Sequence, residues 1–270
     1  SVLPVWHSFE RIVQYAIIGV HNSIAYSKPS GAVMLPDFQA IRPHWMASVP
    51  RIWESVKDGI YKNIRQAGGA RKALFGFFVG VGKSFAYFKN MMLGRLPDFG
   101  NRSRILDAVV AAIPLLLLAP LRGLGEILVF KKIKTKLGGR FKAGVSGGGA
   151  MPASVDIFFD TIGVQILEGY GLTETAPVIG LRPQRKPVLG TVGPAIRGTE
   201  FRITDEAGID VGRCRKGVVH VRGPQVMLGY YKKPELTAKV LSDDGWLNTG
   251  DLGMLTRQGF LKLTGRAKDT

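Results

Sequence analysis

The sequence predicts an α/β fold with helices packed on a mostly parallel sheet, followed by a small β-rich subdomain shaped as a distorted barrel. Two short strand-like segments, 141–145 and 164–167, each lead into a glycine-containing loop, and a helical pattern lies between them. This order is typical of a parallel βαβ unit, in which both loops emerge at one edge of the sheet. Beyond Pro187, short strands alternate with turns. We therefore predict an α/β portion over residues 1–184 and a β-rich subdomain over residues 185–264.

The composition is that of a folded protein from a reducing compartment. The chain has 270 residues, of which 46% are hydrophobic, so it can bury the core of one large domain or two smaller ones. Its single cysteine, Cys214, supports neither a disulfide nor a zinc cluster. The first residues show neither a secretory leader nor an initiating methionine. We expect a cytoplasmic location and a piece of a longer protein.

The net charge of +17 indicates an anionic partner. Residues 62–142 hold 16 basic and three acidic residues, and between residues 75 and 88 six aromatic residues interleave with lysines. Such a segment can lie on an anionic bilayer, stack single-stranded nucleic acid, or form a solvated helix whose aromatic side chains enter the core. We favour peripheral contact with an anionic membrane, on the inner face of which the protein would lie, over nucleic acid.

The first half of the chain reads as a series of helices. Ser8 is the predicted N-cap of the first, and Pro50 suits the first turn of a helix with apolar residues at four-residue steps from Ile52 to Ile64. The segment Gly80–Ser84 resembles a phosphate-binding Walker loop. Phe77 stands where that pattern requires its first glycine, so we reject this interpretation.

An uncharged apolar run of 14 residues covers 108–121 and contains Pro114 and Pro120. A spanning helix needs about 20 apolar residues, so we judge the run too short and too interrupted to cross a bilayer. It could dip into one leaflet or cover a neighbouring apolar face. Residues 126–137 then return to helical periodicity, with Gly138 as the terminator.

Two loops carry the groups that a nucleotide and its metal require. Gly147, Gly148 and Gly149 follow the first predicted strand, and without Cβ atoms they allow a flat ligand to approach the main chain closely. After the second strand, Tyr170 offers a ring to a base, Thr173 a hydroxyl to a phosphate and Glu174 a carboxylate to Mg²⁺. On residue types alone, the second loop can equally be a glycine-capped turn that Thr173 caps.

The last third reads as a linker followed by strands, turns and one short helix. The predicted linker is 182–187, and the helix begins at Pro234. Residues 205–208 and 257–259 are predicted hairpin turns. The predicted strands are 190–192, 200–204, 217–221 and 260–263.

Four motifs in this order resemble the acyl-adenylate-forming (AMP-binding) family. They are GVSGGGAMP from Gly144, YGLTET from Tyr170, GWLNTGDLG from Gly245 and TGRAKDT from Thr264. The segments WHSFER and ASVPRIWE are similar to those of long-chain fatty acid CoA ligases within that family. The resemblance covers nearly the whole chain and implies the layered α/β large domain of an adenylating enzyme. Residues 265–270 would then begin the hinge to a C-terminal domain.

The resemblance implies roles for individual residues. Thr173 and Glu174 match catalytic positions, with Glu174 as the metal ligand. Asp251 matches the ribose-binding aspartate and Arg266 the arginine that contacts ribose and phosphate. The remaining implied nucleotide-binding positions are Gly147, Gly148, Gly149, Glu168, Gly169, Tyr170 and Gly171. His7 and Trp53 match acyl-binding positions, and Lys268 and Asp269 the hinge.

The implied reaction forms acyl-AMP from ATP and a long-chain fatty acid, with Mg²⁺, and then a thioester with coenzyme A. The family's N-terminal phosphate loop and C-terminal domain fall outside these 270 residues, so we expect no adenylation turnover from them alone. Two alternatives stay open: a fatty acyl-AMP or acyl-carrier-protein ligase, and a basic membrane- or nucleic-acid-binding protein without catalysis. An oligomer is compatible with the sequence.

Overall fold

The computed structural model describes residues 1–267, which fall into two compact units. The first unit contains residues 1–96 and 102–167; the second contains residues 97–101 and continues from Glu168. Each has a buried hydrophobic cluster of its own. The predicted α/β class is confirmed, whereas the boundary after residue 184 stays a prediction.

The first unit is mainly helical and carries the parallel part of the sheet. Its helices are α1 (Ser8–Gly19), α2 (Gly31–Ile41), α3 (Pro50–Ala67), α4 (Gly69–Met92), α5 (Arg104–Gly125), α6 (Lys131–Lys136) and α7 (Ala153–Ile162), with a π-helical turn at Glu126–Phe130. Its strands are β1 (Trp45–Ser48), β2 (Ala143–Ser146) and the start of β3 (Gln165–Tyr170). Strands β1 and β2 pair in parallel, and α7 connects β2 to its neighbour β3. The predicted βαβ unit is therefore present.

The N-terminus of α1 differs from its prediction. Its N-cap is His7, whose Nδ1 accepts a hydrogen bond from the backbone N–H of Phe9 at 3.1 Å. Within the described chain, the hydroxyl oxygen of Ser8 is buried without a hydrogen-bond partner. The prediction of Ser8 as N-cap was wrong because the helix begins one residue earlier than expected: Ser8 is its first helical residue, and the His7 imidazole takes the capping role.

Helices α4 and α5 test two sequence predictions, one on the Gly80–Ser84 segment and one on the apolar run at 108–121. Gly80–Ser84 lies inside α4, so the rejection of a Walker loop is confirmed. Pro114 and Pro120 do not interrupt α5, and the helix runs on to Lys136 as 33 residues, long and apolar enough by length and composition to cross a membrane. Our judgement that the run is too short and interrupted was wrong. Each proline removes only one backbone donor, and the leucines and alanines around them favour a helix.

The core of the first unit is built around Trp53, which is fully buried. Its ring lies 6.2 Å from the ring of Phe141 and 5.5 Å from that of Phe159, centroid to centroid. On the strand side it faces Gly144, where a Cβ atom would come within 2.3 Å of the indole ring. Strand β2 thus approaches α3 closely because residue 144 has no side chain.

We expect Gly144→Ala to lower the free energy of unfolding by about 1–3 kcal/mol, because the methyl group must displace a buried indole ring. Thermal unfolding of the full-length gene product measures this loss. The matched control is Gly59→Ala in α3, where a Cβ meets nothing within 4 Å and should be neutral or slightly stabilising. Equal stability of the two variants would contradict the packing described here.

The second unit is an antiparallel sheet with short connections. The end of β3 pairs with β4 (Gly180–Leu181). The main sheet has the order β5 (Glu200–Thr204), β6 (Gly217–Arg222), β7 (Leu247–Leu255) and β8 (Leu261–Arg266). Helix α8 (Pro234–Ala238) precedes β7. The β-rich character is confirmed.

Two local predictions in this unit have opposite outcomes. The hairpin turn at 205–208 is confirmed, since the Asp205 carboxylate accepts hydrogen bonds from the N–H groups of Ala207 and Ile209. The expected strand at 190–192 is absent from the described residues and a turn takes its place. The Val192 N–H donates to the carbonyl oxygen of Leu261, and the Leu261 N–H donates to the carbonyl oxygen of Gly193, but these residues do not form a strand.

Candidate functional site

The most developed polar cluster of the second unit is centred on Asp251. Alternate residues of β7 face inwards, so Asp251 is buried, with 8% of its surface exposed. The Tyr170 hydroxyl donates a hydrogen bond to Asp251 Oδ2 at 2.7 Å, and Arg266 Nε lies 3.1 Å from Oδ1. The Thr249 hydroxyl accepts a hydrogen bond from the Asp251 N–H at 3.2 Å. Each carboxylate oxygen therefore has a protein partner.

Strand register brings these residues together. Tyr170 is the last residue of β3 and Arg266 the last of β8, and Arg266 is directly opposite Asp251 across the β7–β8 pair. A β-bulge follows immediately, at Leu252 and Gly253. Bulges often re-aim side chains next to functional sites. Tyr170 is 81 positions from Asp251 in the sequence, and Asp251 is 15 positions from Arg266. The folded sheet brings the three side chains together.

Burial, followed by the nearby Asp251 carboxylate, raises the pKa of Tyr170 well above its ordinary value. The phenol therefore stays protonated and remains a hydrogen-bond donor to Asp251. An ionised carboxylate has about four acceptor positions, so Asp251 keeps capacity for further donors beyond Tyr170 and Arg266. A pair of ligand hydroxyl groups matches that capacity.

We expect thermal stability to fall as the pH rises above about 10, the ordinary tyrosine pKa. The folded state then retains the proton on Tyr170 while the unfolded chain releases it, which costs up to about 1.4 kcal/mol per pH unit. The measurement is the unfolding midpoint of the full-length gene product between pH 9 and 11. In Tyr170→Phe this decline should be shallower by about one proton, and an identical decline in both proteins would rule out the assignment.

The loop after β3 holds its backbone in a tight arrangement. A Cβ atom at Gly171 would lie 1.7 Å from the carbonyl oxygen of Pro177, so the loop closes only with glycine at that position. Thr175 is buried, and its hydroxyl bonds both the N–H and the C=O of Leu172. The side chain of Thr173 is exposed. Rigid backbone therefore surrounds an accessible hydroxyl.

Glu174 is held by a distant segment of the second unit. Its Oε1 accepts a hydrogen bond from the Tyr230 hydroxyl at 3.0 Å, and its carbonyl oxygen accepts one from the Met227 N–H at 2.8 Å. Burial raises the pKa of Tyr230, and the hydrogen bond to Glu174 and the charge of that carboxylate raise it further. Among residues 1–267, three or more histidine, cysteine, aspartate or glutamate side chains do not gather at one point.

Glu168 is engaged in a buried ion pair. Arg182 is fully buried and donates to Glu168 Oε2 at 2.9 Å and to the carbonyl oxygen of Thr191 at 2.9 Å. The interpretation of 182–187 as a linker was therefore wrong at its first residue. The carboxylate of Glu168 braces the strand end beside Gly169 and Tyr170, so its implied contact with the nucleotide stays a prediction.

The glycine loop and the implied acyl-binding residues belong to the first unit. Gly147 lies against the ring of Phe9, whereas added Cβ atoms at Gly148 and Gly149 would make ordinary contacts, at 3.6 and 3.7 Å, with Val49 and Pro50. Gly148 has φ +75°, which favours glycine. The convergence of this loop with Tyr170, Asp251 and Arg266 stays a prediction.

His7 and Trp53 both have structural roles here. The His7 ring caps α1, and the Trp53 ring lies in the core. The indole Nε1 of Trp53 and the hydroxyl of Ser146 are buried without a hydrogen-bond partner in the described chain. Lys268 and Asp269, the implied hinge residues, lie outside the described residues.

Sequence reasoning missed three residues that support the cluster: Thr249, Tyr230 and Arg182. Thr249 had a usable signal, because residues two apart on a strand share a face and Asp251 was already identified. Tyr230 is 56 positions from Glu174, and Arg182 was concealed by the prolines and basic residues that follow it. Neither of these has a local pattern that reveals its partner.

The geometry defines an α/β protein with a buried polar cluster that joins Asp251 of β7 to the last residues of β3 and β8. A family profile described as AMP-binding enzyme matches residues 1–231. The chain belongs to this family.

Curated relatives from Arabidopsis thaliana align with the whole chain. "Probable acyl-activating enzyme 16, chloroplastic" is 41% identical, and "Long-chain-fatty-acid--[acyl-carrier-protein] ligase AEE15, chloroplastic" is 38% identical. "Long chain acyl-CoA synthetase 7, peroxisomal" is 33% identical. The chain spans 39% of the first two relatives and 35% of the third.

Solved structures confirm the fold. Apo MatB from Rhodopseudomonas palustris aligns with a TM-score of 0.62 at 21% identity, over 99% of this chain and 40% of that one. The O-succinylbenzoate coenzyme A synthetase MenE from Bacillus subtilis, in complex with AMP, aligns with a TM-score of 0.62 at 17% identity, over 99% and 40%. At these identities the likeness concerns architecture alone.

Proposed function

We propose that the protein containing this chain activates a long-chain fatty acid with ATP and then transfers the acyl group to a thiol. The fatty carboxylate oxygen attacks the α-phosphorus, forming acyl-AMP as the bond to pyrophosphate breaks. The thiolate then attacks the acyl carbon and AMP leaves. The observation that carries this proposal is the buried Asp251 carboxylate, held by Tyr170 at the end of β3 and by Arg266 at the end of β8.

Asp251 accepts hydrogen bonds from the two ribose hydroxyls in this proposal. A carboxylate already oriented by Tyr170 loses little freedom when it binds them, and bonds to an ionised acceptor are stronger than neutral ones. Arg266 is largely exposed, with 65% of its side chain accessible, so its other guanidinium nitrogens can reach a phosphate or ribose oxygen. Tyr170 orients Asp251 and offers its ring edge to the base.

Thr173 and Glu174 are the proposed partners of the phosphates and Mg²⁺. Magnesium in nucleotide sites is typically held by one or two carboxylates together with substrate phosphates, so a single glutamate fits without a cluster of acidic residues. When bound, the ion neutralises charge that develops on the phosphoryl oxygens. Glu174 supplies a hard oxygen ligand that Tyr230 orients, and Thr173 donates to a phosphate oxygen.

In this proposal the glycines at 147–149 let the adenine approach their main chain closely, and Gly169 and Gly171 allow the same approach to the loop after β3. The open contacts at Gly148 and Gly149 leave room for a flat ring. Trp53 is proposed to shape the acyl end through the core that it fills, and His7, whose ring is exposed, through the helix that it caps. Lys268 and Asp269 are the proposed hinge.

Two thiol acceptors have support. Coenzyme A is the acceptor expected from the sequence, and a relative named as a long chain acyl-CoA synthetase is 33% identical. A relative named as an acyl-carrier-protein ligase is 38% identical, which favours the carrier protein. We propose a phosphopantetheine thiol, the group that both acceptors share. We expected a cytoplasmic location from the sequence. Two relatives are named as chloroplastic and peroxisomal, so we also propose the aqueous interior of an organelle.

The experiment is a two-stage assay of the full-length gene product. The first stage measures ATP- and Mg²⁺-dependent acyl-hydroxamate formation across fatty acids of increasing chain length, with hydroxylamine trapping the acyl-AMP. The second stage offers acyl carrier protein and coenzyme A in separate reactions. Hydroxamate formation that favours long chains supports the proposal; failure to consume ATP with every fatty acid would overturn it and leave the non-catalytic binding protein as the better hypothesis.

A further inference from the structure

Helix α5 presents a long apolar surface to solvent. Every side chain classed as exposed from Ile105 to Leu128 is apolar. Ile105, Ile113, Leu116 and Leu117 are 80%, 69%, 76% and 69% exposed. The segment from Ile105 to Leu128 has 24 residues, so the strip of exposed side chains along it is about 36 Å long at 1.5 Å per residue. Monomeric soluble proteins rarely leave such a contiguous apolar patch uncovered, so the strip indicates an interaction surface.

The opposite face of the same helix is fixed to the protein. Ala111 is fully buried, and a Cβ atom at Gly125 would lie 2.7 Å from the ring of Phe78 on α4. At the end of α5 the guanidinium of Arg122 lies 4.5 Å from the centroid of the buried Phe130 ring and pairs with Glu126 at 2.9 Å. A spanning helix would need lipid or another membrane helix around its whole circumference. A helix with one face packed against the protein and one exposed apolar strip suits the plane of a bilayer surface instead.

Basic residues border the strip at both ends. Arg104 precedes it, and Lys131, Lys132 and Lys136 follow it, all exposed. Residues 62–142 around it carry a net charge of +13 from 16 basic and three acidic residues. Anionic headgroups attract such residues, at about 1 kcal/mol per lysine or arginine close to the surface. Charge complementarity therefore favours an anionic lipid surface over an uncharged protein face.

We propose that α5 binds an anionic bilayer while lying in its plane, with the strip from Ile105 to Leu128 in the acyl boundary and the flanking lysines at the headgroups. The helix is thus an in-plane anchor and does not cross the membrane. Binding needs neither ATP nor the adenylation site, so it can fail while the proposed reaction stands.

Flotation of the full-length gene product with vesicles tests the apolar strip. The vesicles are phosphatidylcholine alone or phosphatidylcholine mixed equally with phosphatidylglycerol. Ile113→Glu combined with Leu116→Glu should lower the partition coefficient on anionic vesicles by about 100-fold, because two large apolar side chains no longer enter the bilayer. The matched control is Ile209→Glu with Leu236→Glu, two exposed apolar residues of the second unit, which should bind like wild type.

The basic border has its own variants. Lys131→Gln, Lys132→Gln and Lys136→Gln together should weaken binding to anionic vesicles by about 100-fold and leave binding to phosphatidylcholine unchanged. Lys216→Gln, Lys233→Gln and Lys239→Gln make the matched control with the same loss of charge. Equal losses in both triple variants would show a general charge effect and overturn the role of this border.

A photo-crosslinking measurement distinguishes lipid from other parts of the same protein. Benzoylphenylalanine introduced at Leu116 should form adducts with lipid in anionic vesicles, whereas the same group at Ile209 should not. Adducts from position 116 to other peptides of the protein, with or without vesicles, would show that the protein itself covers the strip. That outcome, or wild-type protein that fails to float with anionic vesicles, would overturn the proposal.

Discussion

Asp251→Ala should lower kcat/KM for ATP in acyl-hydroxamate formation by about 10²–10⁴-fold. Two hydrogen bonds from ribose to a charged acceptor are lost, each worth about 1.5–3 kcal/mol. The loss should appear mainly in KM, because the ribose contacts are present in both the ground state and the transition state. The assay uses the full-length gene product at saturating fatty acid.

Asp251 also has structural partners, so its variants need a stability control. Replacing it with alanine leaves the buried Tyr170 hydroxyl without its acceptor. Asp251→Asn keeps one carbonyl oxygen and nearly the same shape, and should fall between wild type and Asp251→Ala in ATP affinity. Asp210→Ala removes an exposed aspartate that caps the Gly212 N–H at 2.8 Å and should leave kcat/KM unchanged. ATP kinetics in Asp251→Ala equal to those of wild type, with the protein folded, would remove Asp251 from the nucleotide site.

Arg182→Ala should reduce the free energy of unfolding by about 3–5 kcal/mol. The change leaves the Glu168 carboxylate and the Thr191 carbonyl oxygen without their buried donor, and breaking a buried pair on one side is strongly destabilising. The midpoint of the unfolding transition that contains this unit should therefore drop by several degrees. Differential scanning calorimetry of the full-length gene product measures the drop.

A second ion pair in the same unit provides the comparison. Arg222 and Glu200 are 3.0 Å apart but largely exposed, with 43% and 60% of their side chains accessible. Arg222→Ala should cost less than about 1 kcal/mol, because water screens such pairs. Replacing both buried partners, as Arg182→Met with Glu168→Leu, should recover much of the loss. Comparable losses in Arg182→Ala and Arg222→Ala would show that burial does not set the strength of the first pair.

The fold was predictable where the sequence pattern is local. The strand before Gly147 and the strand before Tyr170 follow from short apolar runs beside glycines, and the helix between them follows from its period. The length of α5 was not predicted correctly, because we expected Pro114 and Pro120 to interrupt the helix. Leucine and alanine on both sides of Pro114 and Pro120 outweigh one missing donor each.

The residues of the Asp251 cluster were predictable and the residues that support them were not, while the role of the cluster in binding a nucleotide stays a prediction. Asp251, Tyr170 and Arg266 come from motifs that the family resemblance identified, and the sheet register then gives their contacts. Tyr230 and Arg182 became visible only through tertiary structure, because a side chain 56 positions away leaves no periodic trace near Glu174. Contacts between residues so far apart in the sequence depend on the tertiary fold, and local patterns in one sequence do not predict them.

Tyr230 makes two separate hydrogen bonds, one to Glu174 and one to Thr237. The Tyr230 hydroxyl bonds Glu174, while the Tyr230 N–H donates to the Thr237 hydroxyl at 2.9 Å. If Glu174 binds Mg²⁺ as proposed, the cation weakens the first of these bonds, and loosening the segment around Tyr230 changes cation affinity by the same free energy, since linkage is reciprocal. Under that proposal, metal loading and the local order of residues 230–237 report the same coupling free energy.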